Sequence, residues 1–281
     1  MQPYTLIESS GAPLPLVVDS PHSGRIYPVD FEFSCPLPLL RQAEDAFVDE
    51  LVAGAATAGA AVLMAEFPRA MIDPNRAADD IDPSIVDGAW DAPLSPTPMT
   101  LQGYGLVRRL CRNGVVLYKA PLPAAEIKRR IDVYYQPYHD CLRGLVAARL
   151  AAHDLCYLVN AHSMPDRVDN GVARADFILG DRDGTSCDPA FTRRAQKLLQ
   201  DMGYRVVLND PYKGREIVQR YGRAGQGAQA LQIEINRRLY LNEKTGEKNN
   251  LFDRLRVDMD AFFRALADSI ADENRDRLAA E

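Results

Sequence analysis

Short apolar runs of strand length recur along the chain: LVV at 16–18, AVLMAEF at 61–67, VVLY at 115–118, LCYLVN at 155–160, DFILG at 176–180, VVL at 206–208 and ALQIEI at 230–235. Helical patterns separate several of them, over 42–58, 124–151, 189–202 and 251–271. Strands that alternate with helices predict an α/β fold, with a central mixed, mostly parallel sheet and helices on both faces. Pro137 falls inside the 124–151 pattern and predicts a kink or break, because proline lacks the N–H that a helix interior uses. Residues 79–105 hold Pro83, Pro93, Pro96 and Pro98 and read as a long loop rather than a linker; loops of that length are often functional. With no repeat and no low-complexity stretch, residues 1–281 are expected to form a single domain.

At 47% hydrophobic and 26% charged residues, a chain of this length can bury a large core without disulfides or a structural metal. A net charge of −6 argues against nucleic acid or a membrane surface as the main partner. It leaves anionic small molecules open, since these respond to local arginines. Five cysteines, at 35, 111, 141, 156 and 187, are odd in number, scattered, and contain no CxxC pair, so neither a zinc finger nor a disulfide framework is expected. Reduced thiols in the cytoplasm are the expectation. The first residues, MQPYTLIESSGAPLP, lack the basic start and apolar centre of a signal peptide. The uncharged run from 51 to 65 falls short of the roughly 20 residues that a spanning helix needs.

In parallel α/β sheets, ligands collect at the carboxyl ends of strands. His22 follows the 16–18 run, Arg69, Asp73, Asn75 and Arg76 follow the 61–67 run, and His162 follows the 155–160 run. The contexts of the two histidines, DSPHSG and NAHSMP, match. Two imidazoles and a carboxylate are a frequent catalytic zinc set with a fourth position open; the plain alternative is that each histidine hydrogen-bonds a loop backbone. The carboxylate is harder to place. Zinc carboxypeptidases use His-x-x-Glu, but Arg25 stands there. In RQAEDAFVDEL, Asp45 would share a helix face with Val48, Asp49 and Val52, Glu44 is the alternative ligand, and either could simply be a first-turn acid favoured by the helix dipole.

FPRAMIDPNR places Arg69, Asn75 and Arg76 together, planar donors suited to holding a carboxylate, with Asp73 able to orient one of the arginines. A loop salt-bridged to the acids of AADDID is the competing reading. In ALQIEINRRLY, Glu234 lies within a β-type run with Gln232 and Asn236 on its face. A buried carboxylate is costly unless paired or functional, and one beside a metal suits a general base; an edge ion pair with Arg237 or Arg238 is the alternative. YGRAGQGAQ precedes a strand instead of opening a helix, so it is not a phosphate loop, and no GxSxG surrounds Ser23 or Ser163. His139 and His153 read as structural or exposed.

The ordered series SPHSG, EDAFVDEL, FPRAMIDPNRAADD, NAHSMP, ADFILGDRDGTSCDP and ALQIEINRRLYLNE, from about residue 15 to 245, resembles the N-formylglutamate amidohydrolases. The resemblance implies a zinc-dependent hydrolase with a carboxypeptidase/aspartoacylase-type fold, a central mixed sheet flanked by helices, and one Zn2+ per chain. It implies His22 and His162 as metal ligands with Asp45 as the third, Asn75 and Arg76 on a substrate carboxylate, Arg69 near the scissile carbonyl, and Glu234 as the catalytic glutamate. Arg215, Arg220 or Arg223 is expected to hold a side-chain carboxylate, although Glu216 beside them would disfavour an anion. The implied substrate is a small N-formyl amino acid, in amino-acid catabolism such as histidine degradation, with homo-oligomerisation left open. Two other readings stand beside it. One is a zinc-dependent N-acylamino-acid hydrolase or peptidase with another substrate; the other is a non-catalytic binder of amino-acid-like anions.

Overall fold

The computed structural model describes residues 2–111, 114–166 and 175–280, without the side chains of 274 and 276–280. Its strands are β1 (Tyr4–Ile7), β2 (Leu16–Ser20), β3 (Ala61–Ala65), β4 (Val86–Asp87), β5 (Leu122–Pro123), β6 (Cys156–Met164), β7 (Phe177–Gly180), β8 (Val206–Leu208), β9 (Ala228–Asn236), β10 (Leu241–Asn242) and β11 (Glu247–Lys248). Among the described residues, seven strands make one sheet in the order β1-β3-β2-β6-β9-β7-β8. The pairs β2–β6, β6–β9 and β7–β8 are parallel, and β7–β9 is antiparallel. The fold is therefore α/β with a mixed, largely parallel sheet. All nine residues of β6 and all nine of β9 are buried, so both faces of the sheet are covered there. That matches the near-continuous apolar runs expected of central parallel strands.

Two compact units are present. The first comprises Met1–Thr5, Pro21–Ala46 and Met64–Cys141, the second Leu6–Ser20, Phe47–Leu63 and Leu142–Glu281. In the first, Phe67 packs against Tyr134 and Tyr138 at centroid distances of 5.5 and 6.4 Å. Arg130 is buried there with its charge satisfied: Nη1 donates to the Tyr118 hydroxyl at 2.7 Å and the Met71 carbonyl at 3.1 Å, and Nε to Glu126 at 2.7 Å. Pro137 leaves its mark as a widened turn. Helix α4 (Ala124–Arg130, following α1 Leu37–Arg41, α2 Val48–Val52 and α3 Pro98–Leu101) runs into a π-helical stretch, Ile131–Tyr135, and then α5 (Gln136–His153). The ring at 137 cannot donate to the carbonyl four residues back, and the π turn absorbs the mismatch without ending the helix.

In the second unit, α6 (Pro189–Asp201), α7 (Glu216–Tyr221) and α8 (Phe252–Ala280) complete the layers. Helix α8 buries Phe252, Leu255, Met259, Phe262, Phe263, Leu266 and Ile270, the i, i+3, i+4, i+7 stripe of an amphipathic helix, against α2, α6 and the 3-10 turn Ala53–Ala58. The family-like stretch GTSCDP turns out to be architecture. Asp181 accepts from Gly184 N–H and the Thr192 hydroxyl, Ser186 donates to the Ala230 carbonyl, and Asp188 caps α6 by accepting from Ala190 N–H, with Pro189 at the first helical position.

Two expectations are corrected. Residues 115–118 are not a strand of the sheet; Val116 forms only an isolated bridge to Leu110, and burial does not alternate along the run, Val115 and Val116 being exposed and Leu117 and Tyr118 buried. The 42–58 pattern is not one helix either. Phe47 adopts a left-handed φ of 64°, which separates α2 from the preceding turns. Asp45 therefore precedes the helix and shares no helix face with Val48, Asp49 and Val52.

The α8 stripe gives a direct test. Phe262→Ala should cost about 3–5 kcal/mol by urea denaturation, while Val257→Ala on the exposed side should stay within about 0.5 kcal/mol. Equal losses would mean that α8 does not pack through this stripe.

Candidate metal and anion site

In the first unit the site is organised by a turn, a short loop and one carboxylate. Strand β2 ends at Ser20, and Pro21 and Gly24 shape the turn that holds His22. A Cβ at Gly24 would stand 2.1 Å from the Phe67 carbonyl oxygen, so only glycine allows the turn to press this closely. Asp45 N–H donates to the His22 carbonyl at 2.9 Å, and its Oδ2 lies 3.3 Å from His22 Nδ1. Glu44 faces elsewhere, accepting from the Tyr27 hydroxyl at 2.5 Å and lying 3.8 Å from Arg41.

The other His22 ring nitrogen, Nε2, meets Asp73 Oδ1 at 2.7 Å. The same carboxylate accepts from Asn75 N–H at 2.9 Å and, on Oδ2, from Arg69 Nε and Nη2 at 3.1 and 2.7 Å. Burial opposes its ionisation, but Arg69, His22 and Arg108 outweigh that and hold Asp73 well below the usual carboxylate range. Asp73 N–H donates to the Leu106 carbonyl, and Leu106 N–H donates to the Asp80 carbonyl, each at 2.8 Å. These bonds bring the 106–108 segment alongside the 69–76 turn. Arg76 lies 3.8 Å from Asp80, and its backbone is pinned from the helical side: the Tyr135 hydroxyl donates to the Arg76 carbonyl, and His139 Nε2 bonds the Pro74 carbonyl, both at 2.9 Å. His139 is thus structural, and the π turn sets the stretch that supplies it and Tyr135.

In the second unit the polar residues form rows across the sheet. Parallel pairing puts Asp19, Asn160 and Gln232 side by side, with His162 and Glu234 paired two residues further on. Because side chains alternate with a period of two, these residues share one face. His162 Nε2 donates to Asn160 Oδ1 at 2.8 Å, and Asn160 Nδ2 donates to both Asp19 oxygens at 3.0 and 3.1 Å. Gln232 Nε2 donates to Glu234 Oε1 at 2.9 Å. Strand β9 lies inside the sheet, so Glu234 is not an edge acid. Arg238 instead pairs with Asp166 and Asp176, and Arg237 donates to the Ser163 hydroxyl. His162 stands within β6 rather than after it, because pairing with β9 extends the strand to Met164.

Ligand atoms of His22, Asp45 and His162 all lie within 4.8 Å of one another, and all three residues are buried; this group could hold a metal ion. Both histidines engage an oxygen through Nε2, so ligation would come from Nδ1. An acceptor behind each ring is the usual second-shell support of a metal ligand. Asn75 and Arg76 are buried. Among the arginines proposed for a side-chain carboxylate, Arg215 and Arg223 are exposed, and Arg220 pairs with Glu216 at 2.7 Å on the same helix. Sequence reasoning missed Arg108, whose position depends on the pairing of Leu106 with the 73–80 turn. It also missed the Asp19–Asn160 support, whose only signal was two polar residues in otherwise apolar strands.

This α/β protein thus carries a buried His-Asp-His group beside a cluster of arginines. The chain belongs to the N-formylglutamate amidohydrolase family, whose model matches residues 14–241. It is 29% identical to the N-formylglutamate deformylase of Pseudomonas aeruginosa over 279 residues, covering 95% of this chain and 96% of that one. Identity to the N-formylglutamate deformylase of Pseudomonas putida is also 29%, over 82% of this chain and 83% of the relative. The crystal structure of N-formylglutamate amidohydrolase from Ralstonia eutropha JMP134 superposes with a TM-score of 0.94 at 39% identity, over 97% of this chain and 100% of that one. A gene product from Agrobacterium tumefaciens, at 17% identity and TM-score 0.70, shares the fold. Among the described residues, no helix is long and apolar enough to cross a membrane.

The Asp73 hub is open to test. Asp73→Asn should lower stability by about 3 kcal/mol in urea denaturation, since it strips a buried carboxylate from Arg69 and His22. A loss under about 0.5 kcal/mol would show that the hub is not structural.

Proposed function

We propose that this chain is a zinc-dependent amidohydrolase that converts N-formyl-L-glutamate and water to formate and L-glutamate, working as one catalytic domain. The observation that carries the reading is the buried His22–Asp45–His162 group, with Glu234 paired beside His162 in the sheet. The donor set fits zinc: two imidazoles and one carboxylate, each ring backed by an oxygen, leave a fourth position for water or substrate. When bound, zinc supplies Lewis-acid polarisation of the formyl carbonyl and lowers the pKa of water toward roughly 7.

The chain's own residues do the rest. Glu234 accepts a proton from the attacking water as the water oxygen bonds to the formyl carbon. Gln232, bonded to Glu234 Oε1, orients that carboxylate. Arg69 uses Nε and Nη2 on Asp73, which fixes its plane and leaves Nη1 to stabilise the charge developing on the formyl oxygen. Asn75 and Arg76 hold the α-carboxylate and place the formyl group. As the C–N bond breaks, Glu234 returns the proton to the departing amine, so that formate and the free amino acid leave.

Formate release from N-formyl-L-glutamate is the test. Activity should vanish on chelation, return with zinc, and fall at least about 10³-fold in Glu234→Gln. Arg69→Ala should lose about 10²–10³-fold in kcat, the scale of one oxyanion donor. Zinc-dependent cleavage confined to other N-acyl amino acids would keep the hydrolase and refute the substrate. Anion binding without turnover would refute the enzyme.

A further inference from the structure

The first unit gathers more positive charge around the 69–76 turn than the assigned steps use. The Arg108 guanidinium feels those of Arg69 and Arg76 there, and only 13% of its side chain is exposed. Burial first, and then the charge of Arg69, push the Arg108 guanidinium down to about 9, and Arg76 adds to the effect. Asp73 and, less strongly, Asp45 offset this only partly. Asp73 Oδ2 is already gripped by Arg69 and lies 3.8 Å from Arg108 Nη2, beyond hydrogen-bond length. Arg108 Nε is buried and makes no hydrogen bond among the described residues. The face of Tyr104, 5.7 Å from Arg108 Cζ, orients the group but supplies no acceptor. A guanidinium in this setting is matched by a planar pair of oxygens, and neutralising it would relieve the repulsion among the three arginines.

Position narrows the choice of ligand. The Asp73–Leu106 and Leu106–Asp80 backbone bonds fix Arg108 to the same turn that carries Asn75 and Arg76. A ligand whose first carboxylate meets Asn75 and Arg76 would thus have a second cation close by. The exposed Arg215 and Arg223, and Arg220 with its Glu216 partner, offer no comparable unmet demand. We propose that Arg108 binds the side-chain carboxylate of the substrate and makes this site selective for dicarboxylic amino-acid derivatives. The inference rests on the deformylase reading for the identity of the substrate, but the anion subsite can be measured without turnover.

The experiment uses the zinc-loaded full chain. Calorimetric titration with glutarate and with butyrate compares a dicarboxylate with a monocarboxylate in wild type, Arg108→Gln and Arg108→Lys, alongside formate release from N-formyl-L-glutamate and N-formyl-L-norvaline. Wild type is expected to bind glutarate at least about tenfold tighter than butyrate, a gap of roughly 1.4 kcal/mol. Arg108→Gln should erase that preference while changing butyrate binding less than about threefold, and Arg108→Lys should restore part of it. For N-formyl-L-glutamate, the loss in Arg108→Gln should lie in KM, with kcat within about threefold. The melting temperature of Arg108→Gln should hold within a few degrees, because relief of repulsion among the arginines offsets the lost attraction to Asp73. Equal losses for both ligands, no preference in wild type, or a melting temperature lowered by several degrees would overturn the proposal. Arg108-dependent preference for glutarate without formate release would refute the reaction and keep the subsite. Equal formate release from both substrates, unaffected by Arg108→Gln, would refute the subsite and keep the reaction.

Discussion

The Asp73 carboxylate ties the turn that carries Arg69, Asn75 and Arg76 to the His22 turn of the same unit. One oxygen fixes the His22 ring through Nε2 and receives Asn75 N–H; the other locks the plane of Arg69. A buried carboxylate with so many donors stays ionised despite the cost of desolvation, because the positive groups around it outweigh that cost. Its backbone N–H anchors the segment that ends in Arg108. The orientation of one histidine and the placement of two arginines thus depend on a single acidic residue whose side chain, in the proposed chemistry, touches neither metal nor substrate.

The sheet provides a second form of rigidity. Parallel pairing of β6 with β9 sets His162 against Glu234, and pairing of β2 with β6 sets Asp19 against Asn160. A one-residue slip in register would turn these side chains to the other face. The continuous burial of both strands makes such a slip expensive, so hydrophobic packing also aligns the polar groups. Asp19 and Asn160 then do for His162 what Asp73 does for His22: each ring has an oxygen at Nε2. The family match over residues 14–241 spans these strands, and the GTSCDP stretch caps α6 and joins β9.

Much of this was legible in the sequence because it depends on local periodicity and on residue chemistry. Apolar runs of strand length located β2, β3, β6, β7, β8 and β9, and the matched DSPHSG and NAHSMP stretches pointed to the two histidines. What was not legible depends on tertiary pairing. Strand β6 runs past His162 because β9 continues beside it. Asp45 reaches His22 from a turn, since the left-handed Phe47 interrupts the helical pattern that seemed to present it. The interruption at Pro137 was visible, yet its form, a π turn that sets Tyr135 and His139 against the 74–76 backbone, was not. Arg108 carried no local signal, because the charges around it, on Asp45, Arg69, Asp73 and Arg76, lie more than thirty residues away in the chain.

In the proposed chemistry His22, Asp45 and His162 form one metal centre. Metal content per chain, measured by mass spectrometry on protein purified without added zinc, tests it most directly when wild type is compared with Asp45→Asn and His162→Ala. Close to one zinc per chain is expected in wild type, with most of it lost in both variants and the fold retained by circular dichroism. Wild-type protein that releases formate while holding no metal, or variants that keep a full complement of zinc, would contradict it.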